Sequence, residues 1–140
     1  MSYRETSQFI FVYGTLRKDS GNEMYDVLAR DASFAGYGTV QGRLYSLGEY
    51  PGLLPGRTPT DTVKGEVYLI GKKELTGLLA RLDDYEGCGE RDPEPHEYRR
   101  IIIPVQIKNE KILAWAYILN RNPRGLPRID SGDFIGSRAS

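Results

Sequence analysis

Apolar and polar positions along the chain fall into short strand-like stretches broken by glycine and proline, with two windows of helical spacing between them. Phe9-Ile10-Phe11-Val12-Tyr13 is an unbroken aromatic and β-branched run that stops at Gly14. That pattern fits a central strand buried on both faces and ending in a sharp turn. After a polar stretch from Lys18 to Asn22, residues 23–30 place Met24, Tyr25 and Leu28 where they can share one face of a short helix. Over residues 34–47, Gly36, Gly38, Val40, Gly42, Leu44 and Leu47 interleave β-forming residues with glycine, which predicts a bent or bulged strand. Tyr50-Pro51-Gly52 and Pro55-Gly56 read as turns, and residues 56–61 as a surface loop.

Residues 63–70 read as a further strand, followed by Lys72-Lys73-Glu74 at the start of a helix. Leucines at 75, 78, 79 and 82 give that helix an apolar face, although Gly77 costs it about 1 kcal/mol relative to alanine. Two strands over 98–107 and 111–119 flank the short polar break at Lys108-Asn109 and predict a hairpin, with Pro104 marking an edge or bulge. In the polar, Gly- and Pro-containing segment 121–140, Ile129, Phe134 and Ile135 are the possible anchors. No internal repeat or second core is visible. The expectation is one domain over residues 8–136, with terminal tails at 1–7 and 137–140.

Composition narrows the functional classes. The 140 residues suit one domain, and 19 Lys+Arg balance 19 Asp+Glu, so the basic footprint of a nucleic-acid or anionic-membrane binder is missing. No apolar run approaches the roughly 20 residues that span a bilayer. A single Cys and a single His exclude a disulfide framework and a zinc site built from Cys and His within one chain. Met1-Ser2-Tyr3-Arg4-Glu5 does not read as a secretory signal, so a cytoplasmic location is expected. Ten Tyr against four Phe put hydroxyl groups wherever aromatic packing occurs.

Helical projection at about 100° per residue singles out one acid, because Glu86 falls within about 20° of Leu75, on the stripe of Leu75, Leu79 and Leu82. Asp84 projects to the opposite side and Asp83 to the flank. A carboxylate held against apolar and phenolic groups has its ionised form disfavoured, which gives it the profile of a general base at neutral pH. The alternative is a solvated acid at the end of the helix, where it opposes the helix dipole. The second candidate is Tyr13-Gly14-Thr15-Leu16: a strand broken at glycine exposes successive backbone N–H groups that can bind a carboxylate or an oxyanion. An ordinary strand-ending turn is its alternative. Cys88 and His96 lie in the Gly- and Pro-rich segment 87–97 with nothing to fix their geometry. The acids Asp83, Asp84, Glu86, Glu90, Asp92, Glu94 and Glu97 lack EF-hand spacing and read as a solvated face, so no metal is expected. Arg99-Arg100 and the scattered arginines read as surface charges. No Walker phosphate loop, G-x-G-x-x-G or G-x-S-x-G is present.

Taken in order, Phe11-Val12-Tyr13-Gly14-Thr15-Leu16-Arg17, Gly42-Arg43-Leu44-Tyr45 with Tyr50-Pro51-Gly52, Gly65-Glu66-Val67-Tyr68, Leu82-Asp83-Asp84-Tyr85-Glu86-Gly87, Tyr98-Arg99-Arg100 and Ala114-Trp115-Ala116-Tyr117 resemble the gamma-glutamylcyclotransferase-like (AIG2-like) family. The resemblance runs from about Phe9 to Phe134. It implies a small single-domain α+β fold, a mixed, barrel-like twisted sheet with one or two short packed helices, enclosing a cavity at the end of the first strand. It also implies intramolecular cyclotransfer on a gamma-glutamyl amide, releasing 5-oxoproline and a free amine. Glu86 takes the place of the general acid/base, and Tyr13, Gly14, Thr15 and Leu16 that of the substrate loop. Neither metal nor organic cofactor is implied, and the expected partner is a small gamma-glutamyl substrate rather than nucleic acid or membrane. Tyr98 and Tyr117 lie in family-like strands, where core packing is the commoner role; Tyr98 is carried as a supporting substrate-binding residue. The alternatives are a non-catalytic small-molecule-binding or regulatory domain with the same cavity, and a purely structural Glu86.

Overall fold

The computed structural model describes residues 7–56 and 60–135. Residues 1–6 and 136–140, which hold nearly all of the expected tails, and residues 57–59 of the expected 56–61 loop lie outside the described residues. The elements are β1 (Phe9–Val12), α1 (Glu23–Asp31), β2 (Ala32–Ser46), β3 (Pro51–Pro55), β4 (Thr62–Ile70), α2 (Leu75–Tyr85), β5 (Tyr98–Ile107) and β6 (Glu110–Leu119), with a 3₁₀ turn at Lys18–Ser20. Strands run in the order β3-β2-β4-β1-β6-β5, and Thr39 of β2 pairs with Gln106 of β5. That pairing closes β2, β4, β1, β6 and β5 into a five-stranded barrel and leaves β3 as an extra strand along β2. β1 and β6 pair in parallel, while the other pairs are antiparallel.

β1 is central, and alternation along it feeds two cores. Phe11 and Tyr13 join Val40, Val67, Val105, Ile118 and Phe134 in a cluster that contains no residue of either helix, the filling of the barrel. Ile10 and Val12 face the other way and pack with Leu28 of α1 and Leu78, Leu79 and Leu82 of α2. Leu78 and Leu82 are fully buried, whereas Leu75 at the start of α2 is only partly covered. The buried stripe is thus rotated slightly toward Leu78 from the expected one. Truncating a leucine such as Leu82 to alanine in this seam costs about 2–5 kcal/mol.

β2 is bent as its glycines predict: the register against β4 slips between Phe34 and Gly36, and the strand then passes from β4 to β3. Pro51 and Pro55, expected in turns, instead bound β3, opposite Ser46 and Gly42. An outer strand tolerates proline at its ends because the missing N–H is not needed by a further neighbour. Phe134 is the anchor of the following segment and is 2 % exposed. Among the described residues no helix is long and apolar enough to cross a membrane.

Candidate active site

The chain leaves β1 at Tyr13 and turns at once, with the Arg17 N–H donating to the Gly14 carbonyl at 3.0 Å. Gly14 is required here by crowding, since a Cβ at this position would lie 2.7 Å from both Cγ and Cδ of Pro51. Among the described residues the amides of Gly14, Thr15 and Leu16 donate to no protein acceptor. All three residues line a cavity of about 850 Å³ at the end of the barrel, shared with the C-terminus of α2 and the starts of β3 and β5. Unpaired backbone donors beside a hollow are a ready acceptor site for a carboxylate or oxyanion.

The opposite component is Glu86. α2 closes with Gly87 at φ 74°, where the Gly87 N–H reaches Asp84 O at 3.2 Å and the Cys88 N–H reaches Asp83 O at 2.9 Å. This double closure, which glycine makes at no steric cost, fixes Glu86 as the C-cap. Glu86 lies four residues after the fully buried Leu82 and so continues the inward face of the helix into the cavity wall. Its carboxylate has no hydrogen-bond partner among the described residues. Loss of hydration, and secondarily the charge of Asp83, push its pKa up from 4.5 to about 7.

Three tyrosines around Glu86 have their hydroxyls committed elsewhere. Tyr13 Oη donates to the Tyr117 carbonyl and accepts the Leu53 N–H at 3.1 Å, joining the end of β1 to β6 and β3. Tyr98 Oη donates to the Pro51 carbonyl at 2.6 Å, and Tyr117 Oη donates to Asp83 Oδ1 at 2.6 Å. Burial, with the Glu86 charge contributing, raises all three phenols, so they stay neutral. Tyr13 and Tyr98 therefore line the cavity with rings and spare acceptor capacity rather than free donors.

Several participants escaped the sequence reading. Arg100, read as a surface charge, grips Asp83 through Nε at 2.7 Å and a terminal guanidinium nitrogen at 3.1 Å, and lies 4.4 Å above the Trp115 ring. Arg17, also read as exposed, is 9 % exposed and bonded to Glu66 and Asp133. Asp83 is consequently not part of a solvated acidic face. On the loop side Tyr85 Oη shares a hydrogen bond with Thr15 Oγ1 at 3.0 Å and accepts Asn22 Nδ2 at 2.8 Å. Glu49, Tyr50 and Glu97 complete the far rim. Tyr85 and Tyr50 had a signal in the motifs Leu82–Gly87 and Tyr50-Pro51-Gly52; Asn22 and Glu49 had none, because loops bring them in.

Cys88 and His96 form no pair. His96 Nε2 lies 3.0 Å from the Asp92 carbonyl, and burial pushes the Cys88 thiol up to about 12, which leaves it protonated and a poor nucleophile. Among the described residues no three His, Cys, Asp or Glu side chains cluster to hold a metal ion.

A cavity combining free strand-end amides with an unpartnered carboxylate accords with what the chain resembles. The family model described as gamma-glutamyl cyclotransferase, AIG2-like, matches residues 10–136. The chain belongs to that family. The gamma-glutamylcyclotransferase family protein YtfP of Escherichia coli K12 is 38% identical over 129 residues, covering 90% of this chain and 95% of the relative. The gamma-L-glutamyl-butirosin B gamma-glutamyl cyclotransferase of Niallia circulans is 33% identical over 118 residues, covering 81% of this chain and 67% of that protein. Among solved structures, an uncharacterized protein from Pyrococcus horikoshii superposes with a TM-score of 0.65 at 30% identity, covering 95% of this chain and 94% of that one. Membership puts the chain among cyclotransferase enzymes and accounts for the barrel with its extra strand.

Proposed function

We propose that the protein cyclises gamma-glutamyl amides to 5-oxoproline, with Glu86 carrying the proton. The observation that bears most weight is the half-buried Glu86 carboxylate, without a hydrogen-bond partner among the described residues, in the same cavity as the unpaired Gly14–Leu16 amides. Relatives named as gamma-glutamyl cyclotransferases support the same chemistry.

A gamma-glutamyl amide contains its own nucleophile. Its α-amine is inert while protonated, and an α-amino group titrates at about 8. Glu86, at about 7, lies close enough for nearly balanced proton transfer. The freed amine attacks the γ-carbonyl carbon and closes a five-membered ring. Folding the substrate in the cavity supplies the proximity that makes this step effectively unimolecular. As the tetrahedral centre collapses, the bond to the leaving nitrogen breaks and protonated Glu86 gives that nitrogen its proton; the carboxylate so regenerated then takes the surplus proton of the ring nitrogen and passes it to the departing amine. The amides of Gly14, Thr15 and Leu16 hold the substrate carboxylate or share the oxyanion charge. Tyr13, through its bonds to Tyr117 and Leu53, keeps the turn in register with the far wall.

The test is a screen of gamma-glutamyl amides for 5-oxoproline release by the wild type and by Glu86→Gln. The substitution preserves shape and is expected to lower kcat by about 10²–10⁴ while substrate still binds. In the wild type kcat/KM rises with pH toward a plateau above about 7 as Glu86 ionises. Full turnover by Glu86→Gln overturns the assignment of the base. Tight binding with no product at any pH overturns the enzymatic reading in favour of a binding domain.

A further inference from the structure

Arg100 sits behind the cavity wall in an arrangement that packing alone does not require. Its Nε lies 2.7 Å from Asp83 Oδ1 and a terminal guanidinium nitrogen 3.1 Å from Oδ2, a forked pair that fixes direction as well as distance. Both side chains are largely shielded from water. The Trp115 ring, 4.4 Å from the guanidinium carbon, adds a second hold, and Tyr117 Oη donates to Asp83 Oδ1 at 2.6 Å. Through one carboxylate, β5 and β6 thus grip the last turn of α2. Tyr117 and Glu86 line the cavity, whereas Arg100 and Asp83 do not.

Asp83 and Glu86 are three residues apart on that turn, the spacing at which helix side chains are neighbours and like charges repel. Asp83 is also the charge that raises the Glu86 pKa. The other titratable groups that feel Glu86 are Tyr13 at the end of β1, Tyr98 of β5, Tyr117 of β6 and Cys88 just after the helix, and burial keeps all four neutral near pH 7. Glu49 and Glu97 share the lining of the cavity. Arg100 is the cation set against the acid that weighs on the base. Building on the reading of Glu86 as that base, we infer that Arg100 is a positioning residue for the reaction: by clamping Asp83 it seats the end of α2 on the sheet and offsets the charge that would otherwise keep Glu86 protonated. Lysine supplies the charge but neither the fork nor the flat face against Trp115.

The experiment follows 5-oxoproline release from gamma-glutamyl methylamide between about pH 5 and 9 by wild type, Arg100→Met, Arg100→Lys, Asp83→Asn and the double variant Arg100→Met/Asp83→Asn. One substrate throughout keeps the titration of its own α-amine common to all five proteins. Methionine retains an unbranched apolar stem and removes the charge. In Arg100→Met the acid limb of kcat/KM is expected to move upward by about one pH unit, a loss of about tenfold at about pH 6 that shrinks to about threefold or less by about pH 9. Arg100→Lys stays nearer to wild type. Asp83→Asn moves the limb downward by about half a unit or more, and the double variant falls between the two single ones. A merely structural ion pair lowers kcat/KM by one factor at every pH and leaves the limb in place. A limb unmoved in Arg100→Met, a limb moved upward in Asp83→Asn, or a lysine variant displaced further than the methionine one overturns the inference. Where Arg100→Met does not fold, Asp83→Asn carries the test, because it retains Arg100 and a hydrogen-bonding side chain of the same shape. The carbon-13 shift of the Glu86 carboxyl, titrated in the same proteins, reports the displacements without turnover. If wild type releases no 5-oxoproline, the base reading fails; displaced midpoints of the carboxyl titration then still uphold the part assigned to Arg100, and a common midpoint overturns it.

Discussion

Two glutamates flank the turn after β1, and they are treated in opposite ways. Glu66 of β4, opposite Val12, is 2 % exposed, yet every part of it is used. Its Oε1 accepts the Lys18 N–H at 2.9 Å and the Tyr68 hydroxyl at 2.8 Å, and its Oε2 accepts Arg17 Nε at 3.4 Å. Arg17 in turn reaches Asp133 at 2.8 Å. Glu86 faces the other side of the same turn with no partner among the described residues, and its pKa is pushed up to about 7. Burial by itself does not make a carboxylate reactive. Withholding the donors that would satisfy it does, and the neighbouring phenols, tied up by Asp83 and backbone carbonyls, are the means.

The contrast can be broken from either side. Removing the satisfied acid has the largest effect on stability: Glu66→Ala leaves the Tyr68 hydroxyl and the Lys18 N–H without their acceptor and Arg17 with Asp133 alone, and is expected to cost about 3–5 kcal/mol in denaturant unfolding. Removing the unsatisfied one works in the opposite direction. The folded-state pKa of Glu86, about 7, lies above its ordinary 4.5, so the native protein keeps a proton that the unfolded chain gives up. Wild-type stability therefore declines as pH rises through that window and levels off above it. Glu86→Gln is accordingly expected to be more stable than wild type at pH 8, by about 1–3 kcal/mol, with the advantage fading by pH 5. A Glu86→Gln protein less stable than wild type at pH 8 contradicts the contrast. The smallest effect belongs to the turn between them. Gly14→Ala presses a methyl group on Pro51 and is expected to cost about 1 kcal/mol in stability while raising KM several-fold, because the amide spacing shifts.

What could be read from the sequence divides by range. β1, both helices, the bent β2 and the β5–β6 hairpin follow from local periodicity, and so does the inward direction of Glu86, four residues from Leu82. β3 was missed because prolines at 51 and 55 signal turns locally, and only the neighbouring β2 turns the segment into a strand. The mooring of Asp83 by Arg100 and Tyr117 spans 17 and 34 positions, and no short-range pattern announces it. Charged residues read as surface by type, Arg17 and Arg100 among them, were drawn inward by partners distant in sequence.

The reach of Arg17 to Asp133, across 116 positions, has a consequence for how the protein comes into being. The bend that offers its amides follows β1, but its brace, together with the Phe134 plug of the barrel, is translated only after β6. A nascent chain that stops short of residue 133 has neither brace nor plug, so the barrel is closed and its bend braced only once translation has passed them.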